Sequence, residues 1–280
     1  VLENKEINGQ KCADIFALKA KDDFELEGNI KRVAKIPTKS ILFNIAAKAD
    51  GITGMSSTID PVLSIFLKVF NEMLGYDPLN PEIAEIERHL DTIHQYQFFK
   101  SEYQKRFNKS WEKGRESIFL NQYELAEIFA EIKSISSEDA DRYIDNLINN
   151  YKLDIEGFGV LVENFIKSQQ PGYRLVFCVD EVGQFIAENV KLMLSLQTIA
   201  ETLSTKTKGQ SFLIVTSQND LNATIGDLGA KQAHDFSRIQ GRFSVKIPLT
   251  SANADEVIQK RLLQKKEDPA KMLSNIYDKD

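Results

Sequence analysis

The stretch LVFCVDEVGQF (175–185) decides how this chain folds. Five apolar residues, Leu175 to Val179, run directly into two carboxylates, Asp180 and Glu181. An apolar run without alternation reads as a strand buried on both faces, which is the habit of parallel sheets. We therefore place a strand at 174–179 and ask what surrounds it. Downstream comes a helix through Leu192, Leu196, Ile199 and Leu203, then a strand FLIVT (212–216). A further strand is expected at FSVKI (243–247), and a last helix through Val257, Ile258, Leu262 and Leu263. Upstream, SILFNIAA (40–47) follows Pro37 and reads as another buried strand. Strands alternating with helices predict an α/β fold, a parallel sheet with helices on both faces.

Between the first two strands the rhythm is helical. Asp60-Pro61 supplies an N-cap and an N1 proline for PVLSIFLKVFNEML, and Gly75 supplies the stop. Ile83, Ile86, Leu90, Ile93, Tyr96, Phe99, Tyr103 and Phe107 recur at three- and four-residue steps, predicting one long helix after Pro81. Leu125 to Ile132 mark another helix, Ser136 and Ser137 can cap a third, and Phe158 to Ile166 form a fourth that stops by Pro171-Gly172. The opening VLENKEINGQ reads as the fraying end of a helix, and the chain as a piece of a longer protein. The expected division is residues 1–54 as the first part of the sheet core, 55–171 as an all-helical insertion, 172–250 as the rest of the core, and 251–280 as the start of a C-terminal helical lid.

Composition narrows the classes. The 280 residues are 42% hydrophobic and 27% charged with net charge −6, which argues against a protein that coats DNA along its whole surface. Cys12 and Cys178 lie far apart and form no disulfide framework, which fits a reducing cytoplasm. Every apolar run is far short of the ~20 residues that cross a bilayer, so no membrane is expected.

The chemistry-bearing residues gather at strand ends. In an open parallel sheet, ligands bind beyond the carboxyl ends of the strands. Asp180 and Glu181 stand at such an end, and two readings fit them. They are solvated acids where a strand leaves the core, or an aspartate for hydrated magnesium beside a glutamate that takes a proton from attacking water. Adjacent residues of an extended chain point apart, so the two could serve different roles. The second strand end turns polar at Thr216, Ser217, Gln218 and Asn219. Such groups could orient water or contact a phosphate, or cap the next helix. In DFSRIQGRF (235–243), Arg238 and Arg242 are four apart. They could stabilise a transferring phosphoryl group from a neighbouring subunit, or hold local acids such as Asp227 and Asp235. The order acid pair, polar strand end, arginine before a strand is that of AAA+-type P-loop ATPases.

The stretches FCVDEVGQFIAENVKLMLSLQTIAETL (177–203), IVTSQNDL (214–221) and DFSRIQGRFSVKIPLTSANADEVIQKRLLQK (235–265) resemble the BrxC/PglY family. IPTKSILFNIAAKADG (36–51) and FLKVFNEMLGY (66–76) are similar to it too. These are large P-loop ATPases of bacterial BREX and Pgl phage-defence systems. The resemblance implies a parallel-sheet P-loop core, with ATP and magnesium as cofactors. It implies Asp180, holding magnesium through water, and Glu181 as the hydrolytic acid pair. It implies Gln218 as the sensing residue, flanked by Ser217 and Asn219, and Arg242, with Arg238 second, as the arginine finger. The partners it implies are further copies of the chain, a PglZ-type protein and a DNA methyltransferase. One element departs from the pattern: of fourteen glycines none is followed by lysine. The phosphate cradle GxxxxGK[ST] is missing, and GITGMSS (51–57) is no substitute. The expectation is a core without its first strand and cradle, inactive alone.

Competing with this motor is a scaffold that keeps a nucleotide-binding fold and uses the helical insertion to bind protein or DNA. Lys100, Lys105, Arg106, Lys109, Lys113 and Arg115 form its candidate DNA contact, or else a solvated face. His89 and His94 are five apart, a poor spacing for a metal on a helix. The aromatic row Tyr96, Phe99, Tyr103, Phe107 reads as core rather than a base-stacking platform.

Overall fold

A computed structural model describes residues 1–49, 59–186 and 190–217, together with Phe243, Val245, Ile247 and Ile258. The chain divides into two compact units, Val1–Arg242 and Phe243–Asp280. The first is a mixed α/β unit, mostly helical, built around a three-stranded parallel sheet. Its strands are β3 (Thr38–Asn44), β4 (Arg174–Asp180) and β5 (Ser211–Val215), in the order β3-β4-β5.

The register aligns the strand ends. Asn44 pairs with Asp180 across β3 and β4, and Val179 pairs with Val215 across β4 and β5. One sheet face carries Ile41, Phe43, Leu175, Phe177 and Val179, all buried. Three helices meet there: α4 (Pro61–Leu74), α10 (Ile155–Lys167) and α12 (Val190–Lys206). Phe66 of α4 sits at the centre, with ring centroids 5.5 Å from Phe43, 5.3 Å from Phe177 and 6.4 Å from Phe158. Burying such a ring contributes about 1.5–3 kcal/mol through water release alone. Asp60 caps α4 by accepting from the amides of Val62 and Leu63, and its second oxygen takes the Ser195 hydroxyl of α12 at 2.6 Å. The opposite sheet face leaves Leu42, Phe212 and Ile214 exposed by 78, 40 and 49%. The expected two-sided helical cover is thus incomplete at these positions.

Between α4 and α10 runs a helical cluster: α5 (Pro81–Thr92), α6 (Tyr96–Phe107), α7 (Trp111–Gly114), α8 (Gln122–Lys133) and α9 (Ser137–Asn150). The aromatic row lies in its interior: Tyr96, Phe99 and Tyr103 are buried, and Phe107 packs against them. Trp111 closes on Phe99 and Tyr103 at 4.8 and 5.0 Å. A buried carboxylate organises this core. Glu87 Oε1 accepts from Tyr96 Oη at 2.8 Å, Trp111 Nε1 at 2.6 Å and Arg115 at 2.8 Å, and Oε2 accepts from the Asp77 amide. Burial pushes the Glu87 carboxyl above the ordinary carboxylate range, against the pull of these donors. Arg115 stays charged because Glu87 and Asp77 outweigh the burial that opposes it.

Several expectations are corrected. The first strand ends at Asn44, and Ile45–Ala49 form a short helix, α3. Asn44 Oδ1 accepts from the Ala47 amide at 3.0 Å, so the side chain starts a helix where the apolar run alone suggests more strand. The long helix after Pro81 is two helices. His94 adopts φ 57, and the Gln95 amide bonds to Leu90 O while the His94 amide bonds to Asp91 O, the paired closure of a Schellman stop. The opening is no helix end. Glu6–Ile7 and Gln10–Lys11 form a hairpin, β1 and β2, whose turn residues Asn8 and Gly9 have φ 52 and 77. It leads into two further helices, α1 (Cys12–Lys19) and α2 (Phe24–Val33). In the second unit, Phe243, Val245 and Ile247 of the expected fourth strand carry no strand structure, and Val245 and Ile247 are 75 and 77% exposed. Of the expected last helix, only Ile258 is described, and it is helical.

Candidate functional site

The carboxyl ends of the three strands converge on one edge. Asp180 is the last residue of β4 and Asn44 the last of β3, in register with it. Thr216 directly follows β5. Its amide donates to Val179 O and its carbonyl accepts from the Val182 amide, both at 3.0 Å. The main chain of β5 is thereby clamped to the end of β4 on both sides of the acid pair.

The two carboxylates are held apart by neutral neighbours. The Thr216 hydroxyl donates to Asp180 Oδ1. Asn44 Nδ2 donates to Glu181 Oε2. Asp180 is thus drawn toward β5 and Glu181 toward β3. The divergence does not come from strand alternation. Glu181 takes φ 59, the left-handed region that costs a side-chain-bearing residue strain and concentrates at functional sites. Asn44 on the carboxylate and Thr216 Oγ1, which accepts the Glu181 amide at 3.2 Å, help to hold it there.

The surroundings fix this geometry. α3 is tied to α4 by the Lys48–Glu72 ion pair at 2.6 Å and by Lys68 Nζ donating to Lys48 O at 3.2 Å. That anchors Asn44, which starts α3. On the other side, α11 (Val182–Ile186) begins beside the tail of β5. A Cβ on Gly183 would collide with Ser217 Oγ, so glycine suits the close approach of Ser217. Behind the edge, burial raises the Cys178 thiol above its ordinary value, which suits an inert thiol rather than a nucleophile.

The structure therefore brings Asp180, Glu181 and Ser217 to one strand edge. Gln218, Asn219, Arg238 and Arg242 lie outside the described residues. Two further members of the edge, Asn44 and Thr216, are not singled out by the sequence. Asn44 sat inside a run read as strand, and nothing local links it to an acid 137 positions away. Thr216 stands in the sequence as one of four polar residues at the strand end, with nothing to single it out.

The donor set suits a hard cation. Asp180 is exposed, and its Oδ2 takes no partner among the described residues. The Thr216 hydroxyl oxygen lies beside Asp180. No cluster of three or more His, Cys, Asp or Glu side chains placed to hold a metal occurs among the described residues.

The expected DNA contact looks different once side chains are placed. Lys100 pairs with Glu112, Lys105 with Glu102, Arg106 with Glu102, Glu127 and Glu131, Lys109 with Glu124, and Arg115 with Glu87. Five of the six basic residues thus have carboxylate partners within the helical cluster. Phosphates would have to displace those carboxylates. Among the described residues no helix is long and apolar enough to cross a membrane. No family model matches the chain, and no solved structure matches it.

Proposed function

We propose that this chain supplies the hydrolytic edge of an AAA+-type P-loop ATPase resembling the BrxC/PglY proteins, and that ATP turnover there switches or drives a bacterial phage-defence assembly acting on DNA. The observation that carries the reading is the register of the three strand ends. It sets an exposed aspartate, a strained and tethered glutamate and a polar β5 tail on one edge. Solvated acids at a strand end need neither the tether nor the left-handed turn.

In this reading Asp180 holds a hydrated magnesium ion, which when bound neutralises charge on the phosphates. Glu181 accepts the proton of the attacking water. Asn44 Nδ2 donates to that carboxylate and holds it on the β3 side of the edge. Gln218, with Ser217 and Asn219, would sense the phosphate end, and Arg242 or Arg238 would reach a neighbouring copy, which requires an oligomer. The 280 residues contain no phosphate cradle, so turnover needs one from sequence outside them.

The test uses a longer polypeptide that joins these residues to a phosphate-binding loop. Glu181→Gln should lower magnesium-dependent ATP hydrolysis by about 10²–10⁴-fold while nucleotide still binds. Unchanged turnover sinks the assignment.

The second reading, a non-enzymatic binding scaffold, draws on the helical cluster. Phe119, Leu120 and Tyr123 are exposed by 50, 87 and 60% beside its well-packed core. Its protein-binding form is better supported than its DNA-binding form, given the internally paired basic residues.

A further inference from the structure

Thr216 contacts both members of the acid pair. Its hydroxyl donates to Asp180 and accepts the amide of Glu181. One oxygen thus touches the side chain of one acid and the backbone of the other. Its main chain is bonded independently, to Val179 and Val182. The strand end can therefore keep its shape without the hydroxyl, and what the hydroxyl adds is the orientation of the two acids.

We infer that Thr216 is a positioning residue that aims Asp180 at its cation and holds Glu181 in its left-handed turn, an inference that rests on the magnesium-and-water reading of that pair. A hydroxyl has a single proton. Donating it to Asp180 Oδ1 leaves Asp180 Oδ2 to meet the hydrated cation, while a lone pair of the same oxygen fixes the Glu181 amide. The two acids are set relative to one another by one atom. The site is exposed, so this orientation does not follow from packing. Serine in this place would do the same, and valine, of the same shape, would not.

The experiment compares Thr216→Val and Thr216→Ser with the parent 280-residue chain by amide NMR. The Glu181 amide should exchange about two- to tenfold faster in Thr216→Val, the amides of Thr216 and Val182 should change less, and Thr216→Ser should restore the parent rate. Equal Glu181 exchange in all three proteins overturns the inference. A second arm titrates manganese as a paramagnetic stand-in for magnesium. Broadening of the Asp180 and Glu181 signals should need several-fold more manganese in Thr216→Val and return to the parent midpoint in Thr216→Ser. An unchanged midpoint in Thr216→Val also overturns it. If the parent chain shows no selective broadening at these residues, the magnesium reading fails, and the exchange arm still decides whether Thr216 holds Glu181.

Discussion

Replacing Glu87 by glutamine removes a single charge from the middle of the helical cluster. The side chain is fully buried and accepts from four donors. A glutamine oxygen can replace Oε1 and keep Tyr96, Trp111 and Arg115. Its NH2 group then faces the Asp77 amide, and a buried N–H left without an acceptor costs about 1–3 kcal/mol. Arg115, 14% exposed, also loses its close counter-charge. Breaking a buried pair costs about 3–5 kcal/mol, reduced here because Asp77 remains 4.0 Å away and because the ionised carboxylate was itself costly to bury. The net expectation is a loss of about 2–4 kcal/mol.

Trp111 is the chain's only tryptophan and donates to Glu87, so its fluorescence in urea reads this loss at its source. pH supplies a second axis. The folded-state pKa of Glu87 is raised, so between the ordinary carboxylate value and that raised value the folded protein binds more protons than the unfolded chain. Stability contributed by Glu87 therefore falls as pH rises through that window and is flat above it. Glu87→Gln should lack this component of the slope. A loss under about 1 kcal/mol, with the same pH slope in both proteins, refutes the view that this carboxylate organises the cluster.

Two further predictions concern other parts of the fold. Partial burial opposes the charge on Glu3, but the Ser40 amide, Lys5 and the Ser40 hydroxyl outweigh it and hold the carboxyl down to about 2. Glu3→Gln should lower the melting temperature near neutral pH, and its difference from wild type should shrink as pH falls from the ordinary carboxylate value of 4.5 toward 2, where Glu3 itself becomes protonated. Gly183→Ala should cost about 1–3 kcal/mol in urea unfolding, because its Cβ meets Ser217 Oγ. Adding Ser217→Ala leaves the nearest atom at 3.2 Å and should recover most of that loss; no recovery would place the strain elsewhere.

The sheet was legible because its three strands are apolar runs without alternation. The Asp60-Pro61 start, the Gly75 stop and the Ser136 cap were legible because capping chemistry is local, and each side chain or turn plays the expected part. The misses share a cause. The stop at His94 uses glycine-type geometry on a residue that is not glycine. The Asn8-Gly9 turn joins strands of two residues each, too short to show an alternating pattern. The site was half legible. Asp180 and Glu181 announce themselves by following an apolar strand. Asn44 could not, since its link to Glu181 depends on a register that two separate strands acquire only on pairing. The grouping of α4 and α10 with the sheet was equally hidden, because their apolar stripes do not name what they face.

The long excursion between β3 and β4 bears on how the protein is made. Asn44 and Glu181 are 137 residues apart, so at translation rates of about 5–20 residues per second the second arrives roughly 7–30 s after the first. Through that interval Ile41 and Phe43 have no strand to lie beside. α4, the next long helix to emerge, carries Phe66 to Phe43. The Asn44–Glu181 bond, unlike the acid pair itself, can form only once β4 has joined β3.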